Sequence, residues 1–216
     1  MKWDWGAVAD FMPKFWDGLL VTLQILALGS LISFALGLVW ALLMRTPSRF
    51  VRWPVGVVTE FIRNTPLLVQ LFFFFYVLPE WGVTFSALTT GICAIGLHYS
   101  TYTMQVYRAG IEAVPAGQWE AATALNLPVR HTWTAVVLPQ AIRRVVPALG
   151  NYVIAMLKDT PILMTITVMD MLGEARLFSQ EHFQFTEPLT VIGVAFIFIA
   201  YPASLLVRAL ERRLVR

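Results

Sequence analysis

Glu60, Arg63, Lys158 and Asp159 fall inside long apolar runs of the chain. Arg63 lies eleven residues beyond Arg52, or about 16 Å along a helix, and Lys158 lies fourteen beyond Arg144, or about 21 Å. A hydrocarbon core is about 30 Å thick, so both sit too deep to snorkel easily to water. A bare charge at that depth costs at least about 2.5–3.5 kcal/mol, so these groups must pair or line a wet cavity. Glu60 and Arg63 are spaced i, i+3 and can pair on one helix. Asp159 has no such partner on its own helix, and its neighbour Lys158 points to another side. One cation and one anion at similar depth on two helices suit a small zwitterion: the cation meets a carboxylate, the anion an amine or amidine. The plainer alternative is a set of interhelical ties. Asn64, His98, Tyr99 and Tyr102 supply polar and aromatic groups beside them. A lone His in such a run is more often a packed, hydrogen-bonded residue than a ligand. A tyrosine face can meet a cation. "FFFFY", Phe72 to Tyr76, reads as a lipid- and partner-facing run near the outer interface rather than an aromatic cage.

The elements that position these groups are apolar spans. The chain has 216 residues, 58% hydrophobic and 13% charged. Soluble domains carry about a quarter charged residues, and here the apolar residues come in runs rather than stripes. Five spans of sufficient length follow: about Leu19–Met44, Val55–Leu78, Leu88–Ile111, Val146–Met169 and Leu189–Ala209. With the first helix running inward, the inner segments hold Arg45, Arg49, Arg52, Arg108, Arg130, Arg143, Arg144, Arg208, Arg212, Arg213 and Arg216. The outer segments hold Lys2, Lys14 and Arg176. Eleven against three puts the N-terminus outside and the C-terminus in the cytoplasm. Residues 1–18 interleave aromatics with charges and read as a segment lying in the outer interface. No basic region precedes a short apolar core there, so no cleaved signal peptide is expected. The net charge of +3 comes from short arginine clusters between spans, which argues against nucleic acid as a partner. Cys93 stands alone, with no disulfide framework and no metal spacing.

Catalytic patterns are missing from the sequence. His98, His131 and His182 are scattered, with no H-E-x-x-H and no G-x-S-x-G. No G-x-x-x-x-G-K-[ST] run occurs, so the chain is no ATPase and no enzyme is expected. Five spans do not divide into two equal inverted halves, and no internal repeat is visible. Both points favour one subunit of an assembly over a self-contained channel or secondary carrier.

One inner connection is far longer than a turn. "VPAGQWEAATALNLPVRHTWTAVVLP" runs from Val114 to Pro139. Pro115 suits a first helical position, "AGQWEAATAL" holds several helix formers, and Glu120 lies near the positive end of the dipole. Asn126 suits a left-handed end and Pro128 forbids continuation. A helix of about ten residues follows, then a second helical piece, "VRHTWTAVV", ending before Pro139. Trp119, Ala122 and Leu125, at i, i+3 and i+6, form one apolar side, and Ala121 and Ala122 permit close approach.

"EAATALNLPVRHTWTAVVLP" resembles the EAA signature of ABC importer permeases: Glu-Ala-Ala, three residues, Gly, nine residues, Ile, one residue, Leu-Pro. Glu120, Ala121, Ala122, Leu138 and Pro139 match it, with Asn126 at the Gly position and Val136 at the Ile position. "EFIRNTPLLVQLFFFFYVLP" and "VVLPQAIRRVVPALGNYVIAMLKDTPI" are similar to the polar-amino-acid branch, and "LHYSTYTMQVYRAGIEAVPAGQWEAATALNLP" looks most like permeases for ectoine and hydroxyectoine. The resemblance implies an all-α, type I importer permease with five transmembrane helices, a permease domain over 19–213 and a cytoplasmic coupling loop at about 112–140. It implies that Trp119, Glu120, Ala121, Ala122, Leu125 and Asn126 couple to a cytoplasmic ATPase dimer, which alone uses ATP and Mg. Glu60, Arg63, Asn64, His98, Tyr99, Lys158 and Asp159 would line the path of a small zwitterion. A second permease subunit, in a heterodimer, and an extracytoplasmic binding protein would complete the system in a bacterial inner membrane. No cofactor of its own and no metal is expected on this chain.

Overall fold

The computed structural model describes residues 3–214. They are helical, with no strand among them. In chain order the helices are α1 (Trp5–Met44), α2 (Arg49–Asn64), α3 (Leu67–Phe72), α4 (Ala87–Glu112), α5 (Ala116–Ala124), α6 (Val129–His131), α7 (Leu138–Asp159), α8 (Met171–His182) and α9 (Thr186–Leu214). The five expected spans map onto α1, α2 with α3, α4, α7 and α9.

α1 has 40 residues, which is about 60 Å, twice a hydrocarbon core. Within residues 1–18, expected as a separate interfacial segment, residues 5–18 are its first turns. Asp4 caps them, its Oδ1 accepting from the Gly6 amide at 2.8 Å. Phe11 and Phe15 hold them in a core with Met171, Ala175 and Phe178 of α8 and Ile192 of α9. The first two residues of that segment lie outside the described residues.

The second span departs from the straight helix expected over Val55–Leu78. Between α2 and α3 the axis turns by 103° at Thr65–Pro66. A residue before proline avoids the helical region, and Thr65 is extended at φ −92, ψ 130. The fourth span tightens into a 3₁₀ run over Thr160–Ile166 from Pro161 on, then bends by 46° into α8. Two π turns occur, over Phe73–Val77 and Thr132–Val137. Each directly precedes a Leu-Pro pair, Leu78–Pro79 and Leu138–Pro139, where the missing N–H breaks the α ladder. Pro139 therefore does not end the second helical piece of the inner loop. The chain runs through it into α7.

α4 packs centrally, along α1 and against α7, which explains why so polar a helix passes through an apolar bundle. Thr103 Oγ1 donates to the Ser33 carbonyl at 2.8 Å, Trp40 Nε1 to Ser100 Oγ at 3.1 Å, and Tyr107 to the Phe34 carbonyl at 3.3 Å. Such ties are the usual glue between helices in lipid. Gly37 makes the approach possible: a Cβ there would run into Thr103 Oγ1 and stand 3.0 Å from the Ser100 carbonyl oxygen and the Met104 nitrogen. Gly37→Leu is expected to cost about 1–3 kcal/mol by overpacking, read as a lowered melting temperature in detergent. An unchanged melting temperature would show that α1 and α4 can separate freely.

Candidate functional site

α2, α4 and α7 converge on a polar cluster. Tyr99 on α4 donates its hydroxyl to Asp159 Oδ2 at 2.6 Å. Tyr152 stands two turns before Asp159 on α7, and its ring lies 6.2 Å from that of Tyr99 and 5.8 Å from that of Tyr102. His98 lies 5.4 Å from Tyr102, ring to ring. The Tyr102 hydroxyl donates to the Arg63 carbonyl at 3.4 Å, which ties the end of α2 to α4. Asp159 thus bonds to Tyr99, whose ring packs in turn on Tyr102, Tyr152 and His98.

The charges are distributed more unevenly than the spacing suggests. Arg63 Nη2 stands 2.6 and 2.7 Å from the two oxygens of Glu60, the i, i+3 pair expected. Asn64 Nδ2 donates to the Glu60 carbonyl at 2.8 Å and to its Oε2 at 3.2 Å. Arg63 is thus matched on its own helix. Asp159 receives only a neutral phenol, and none of the three ion pairs among the described residues includes it. Lys158 is exposed and joins neither pair nor cluster. Consecutive helix residues point about 100° apart, so Lys158 turns away as Asp159 turns in. The cluster therefore offers one carboxylate outside the ion pairs, held by Tyr99 next to a group of packed aromatic rings, a setting for an ammonium, amidinium or guanidinium group. Tyr152 and Gln70, which also belong here, carry weak sequence signals: an i, i+7 spacing from Asp159 and a lone amide in an apolar run.

In the inner loop, Asn126 takes the left-handed conformation at φ 50. Pro115 is extended and precedes α5 rather than opening it. The apolar side expected from Trp119, Ala122 and Leu125 is split. Ala122 is 3% exposed, and Trp119 packs on Trp133 at 5.4 Å over the Val114–Val137–Ala141 core. Arg45 covers Trp133 at 5.0 Å. Leu125 lies past the end of α5 and is 72% exposed, with Glu120, Ala121 and Asn126 exposed beside it and Val129 at 75%. Trp119 and Ala122 are the feet of the loop, while Leu125 and Val129 form its outward apolar surface.

The sequence pattern of the binding-protein-dependent transport system inner membrane components matches residues 33–216. The chain belongs to this family. A probable amino-acid ABC transporter permease of Sinorhizobium fredii (strain NBRC 101917 / NGR234) is 44% identical over 97% of this chain and 93% of its own. The L-cystine transport system permease of Bacillus subtilis (strain 168) is 34% identical over 98% and 92%. A crystal structure of an amino acid ABC transporter with histidines contains a chain superposing at a TM-score of 0.93, with 33% identity over 99% of this chain and 100% of that one. The all-helical type I fold follows, and the protein is a multi-pass inner-membrane permease of the amino-acid ABC transporter family, a transport subunit. The exposed Leu125–Val129 surface and the Asp159 cluster are its two candidate working parts.

Proposed function

We propose that this permease imports a small zwitterion with a cationic amine or amidine, delivered by an extracytoplasmic binding protein and driven by a cytoplasmic ATPase dimer. The observation that carries the reading is the carboxylate of Asp159, held by Tyr99, whose ring packs on Tyr102 and Tyr152, and in none of the ion pairs among the described residues. Polar amino acids meet this requirement, and the names of the relatives support them. Ectoine and hydroxyectoine, with an amidinium and a carboxylate, meet it too, and the sequence of α4 favours them. The substrate carboxylate falls to Arg63, which must then share or leave Glu60. ATP and Mg belong to the ATPase, which docks on the surface led by Leu125. A second permease chain, in a heterodimer, completes the path. Competition uptake in vesicles holding the whole complex tests the substrate: ectoine and polar amino acids should each displace labelled substrate. Uptake that only a neutral sugar inhibits would end the reading.

Orientation completes the proposal, with the N-terminus outside and the loop of α5 in the cytoplasm. The exposed native Cys93 is first replaced by serine. Cysteines at Asn126 and Arg213 should then react only with reagents added from the cytoplasmic side. One at Gln180, exposed where the neighbouring Ser179 is fully buried, should react only from outside. Labelling of Asn126 from outside would overturn the orientation and the docking role together.

A further inference from the structure

Pro66 has no N–H, so the carbonyl of Ile62, four residues earlier, loses its helical donor. The Thr65 amide, 3.3 Å away and shared with the Phe61 carbonyl, replaces it only weakly, and in lipid a poorly matched carbonyl needs a further partner. Gln70 supplies it. Its side chain folds back from α3, and Nε2 stands 2.7 Å from the Ile62 carbonyl oxygen and 3.0 Å from that of Thr65. The same nitrogen is 3.1 Å from Nδ1 of His98 on α4. Gln70 is 8% exposed and His98 9%, so water is no ready substitute for these contacts.

The two carbonyls decide which way the amide points. Turned over, Gln70 would press Oε1 against two carbonyl oxygens, lone pairs facing lone pairs. Oriented as it is, Oε1 stays buried without a partner. That arrangement is retained although it leaves an acceptor bare, so the donors are the part of the amide that matters. An NH₂ group has two hydrogens and donates only; with three acceptors within 3.1 Å it shares them, and a ring nitrogen that faces it cannot be a donor as well. Nδ1 of His98 therefore carries no proton, and the ring's N–H is on Nε2.

We propose that Gln70 is a positioning residue: it reads the break between α2 and α3 and sets the tautomer and ring orientation of His98 beside Tyr102 and the Asp159 cluster. Through it the elbow and the cluster form one unit. Ile62 and Thr65 bond to Gln70, Gln70 to His98, and His98 packs on Tyr99 and Tyr102 at 5.6 and 5.4 Å. A movement of the elbow would thus reorient the donor nitrogen of His98. The inference rests on the Asp159 cluster being part of the path, but the tautomer does not depend on which solute is carried.

The test uses the whole complex with ¹⁵N-histidine in this chain, the His98 signals being those lost in His98→Gln. In the wild type, Nδ1 should be bare and Nε2 protonated; a protonated Nδ1 overturns the proposal with no variant needed. Gln70→Met keeps the volume and removes the donors. It should let both tautomers appear and raise KM for uptake about tenfold, the loss of one hydrogen bond, with the maximal rate of ATP turnover kept. An unchanged His98 spectrum in Gln70→Met also overturns it. If the tautomer shifts while uptake stays at the wild-type level, Gln70 is only a clamp on the elbow and its positioning role falls.

Discussion

Asp159→Asn is expected to lower uptake by roughly 10- to 150-fold while leaving the complex assembled. A hydrogen bond to a charged group is worth about 1.5–3 kcal/mol, and each 1.4 kcal/mol is tenfold. Asn keeps the shape and accepts the Tyr99 hydroxyl in the same way, so the fold loses little. What disappears is the one carboxylate of the cluster that is not already matched by a cation. Arg63→Lys tests the other half of the zwitterion reading. A lysine can still pair with Glu60 but lacks the guanidinium fork that a substrate carboxylate would meet. Its expected effect is smaller, because Arg63 is shared with Glu60 before substrate arrives. The measurement for both is initial uptake rate against substrate concentration in vesicles. Wild-type rates in both variants would make Glu60, Arg63 and Asp159 structural ties and nothing more.

Leu125→Asp should uncouple the permease from its ATPase. Leu125 and Val129 are the most exposed large apolar residues of the inner loop, at 72% and 75%. Truncating a central interface residue costs about 2–4 kcal/mol, roughly 30- to 800-fold in docking affinity, and a new charge there adds repulsion and desolvation. The variant should still fold, because Leu125 supports nothing beneath it. Ala122→Asp should behave differently. Ala122 is buried at 3%, so a carboxylate there breaks the loop's own packing and lowers stability along with docking. Pull-down with the ATPase, read beside a melting curve, separates the two. Leu125→Asp that binds the ATPase at wild-type strength would remove this surface from the coupling role.

The order of the apolar helices was readable from the sequence, and the neighbours that each helix face meets were not. Helices over the five apolar runs, the i, i+3 pair of Glu60 and Arg63 and the left-handed Asn126 follow from local rules of length, spacing and turn chemistry and are present in the structure, with the second and fourth runs bent rather than straight. Lys158 and Asp159 were legible as lying at one depth on different sides of the helix, but not which of the two faces the bundle. Only packing against α4 turns Asp159 toward Tyr99 and leaves Lys158 exposed. Ala122 looked like part of an outward face because the i, i+3, i+6 pattern assumes a helix continuing to Leu125, and α5 ends at Ala124. The 103° turn at Pro66 was legible in "NTPLL" as a residue before proline, but the long apolar run around it masked the signal. Tyr152 meets its partners, and Gln70 meets His98, only through packing between helices far apart along the chain.

The central claim is that Asp159 receives the cationic group of a solute whose uptake is driven by a partner ATPase. The most direct measurement is uptake of a labelled cationic amino acid, and of labelled ectoine, into proteoliposomes holding the whole complex and its binding protein. Wild-type and Asp159→Asn permeases are compared, with and without ATP. The account predicts ATP-dependent accumulation of at least one of these solutes by the wild type, reduced at least tenfold in Asp159→Asn with the complex intact. Equal accumulation by the two proteins, or accumulation without ATP, would contradict it.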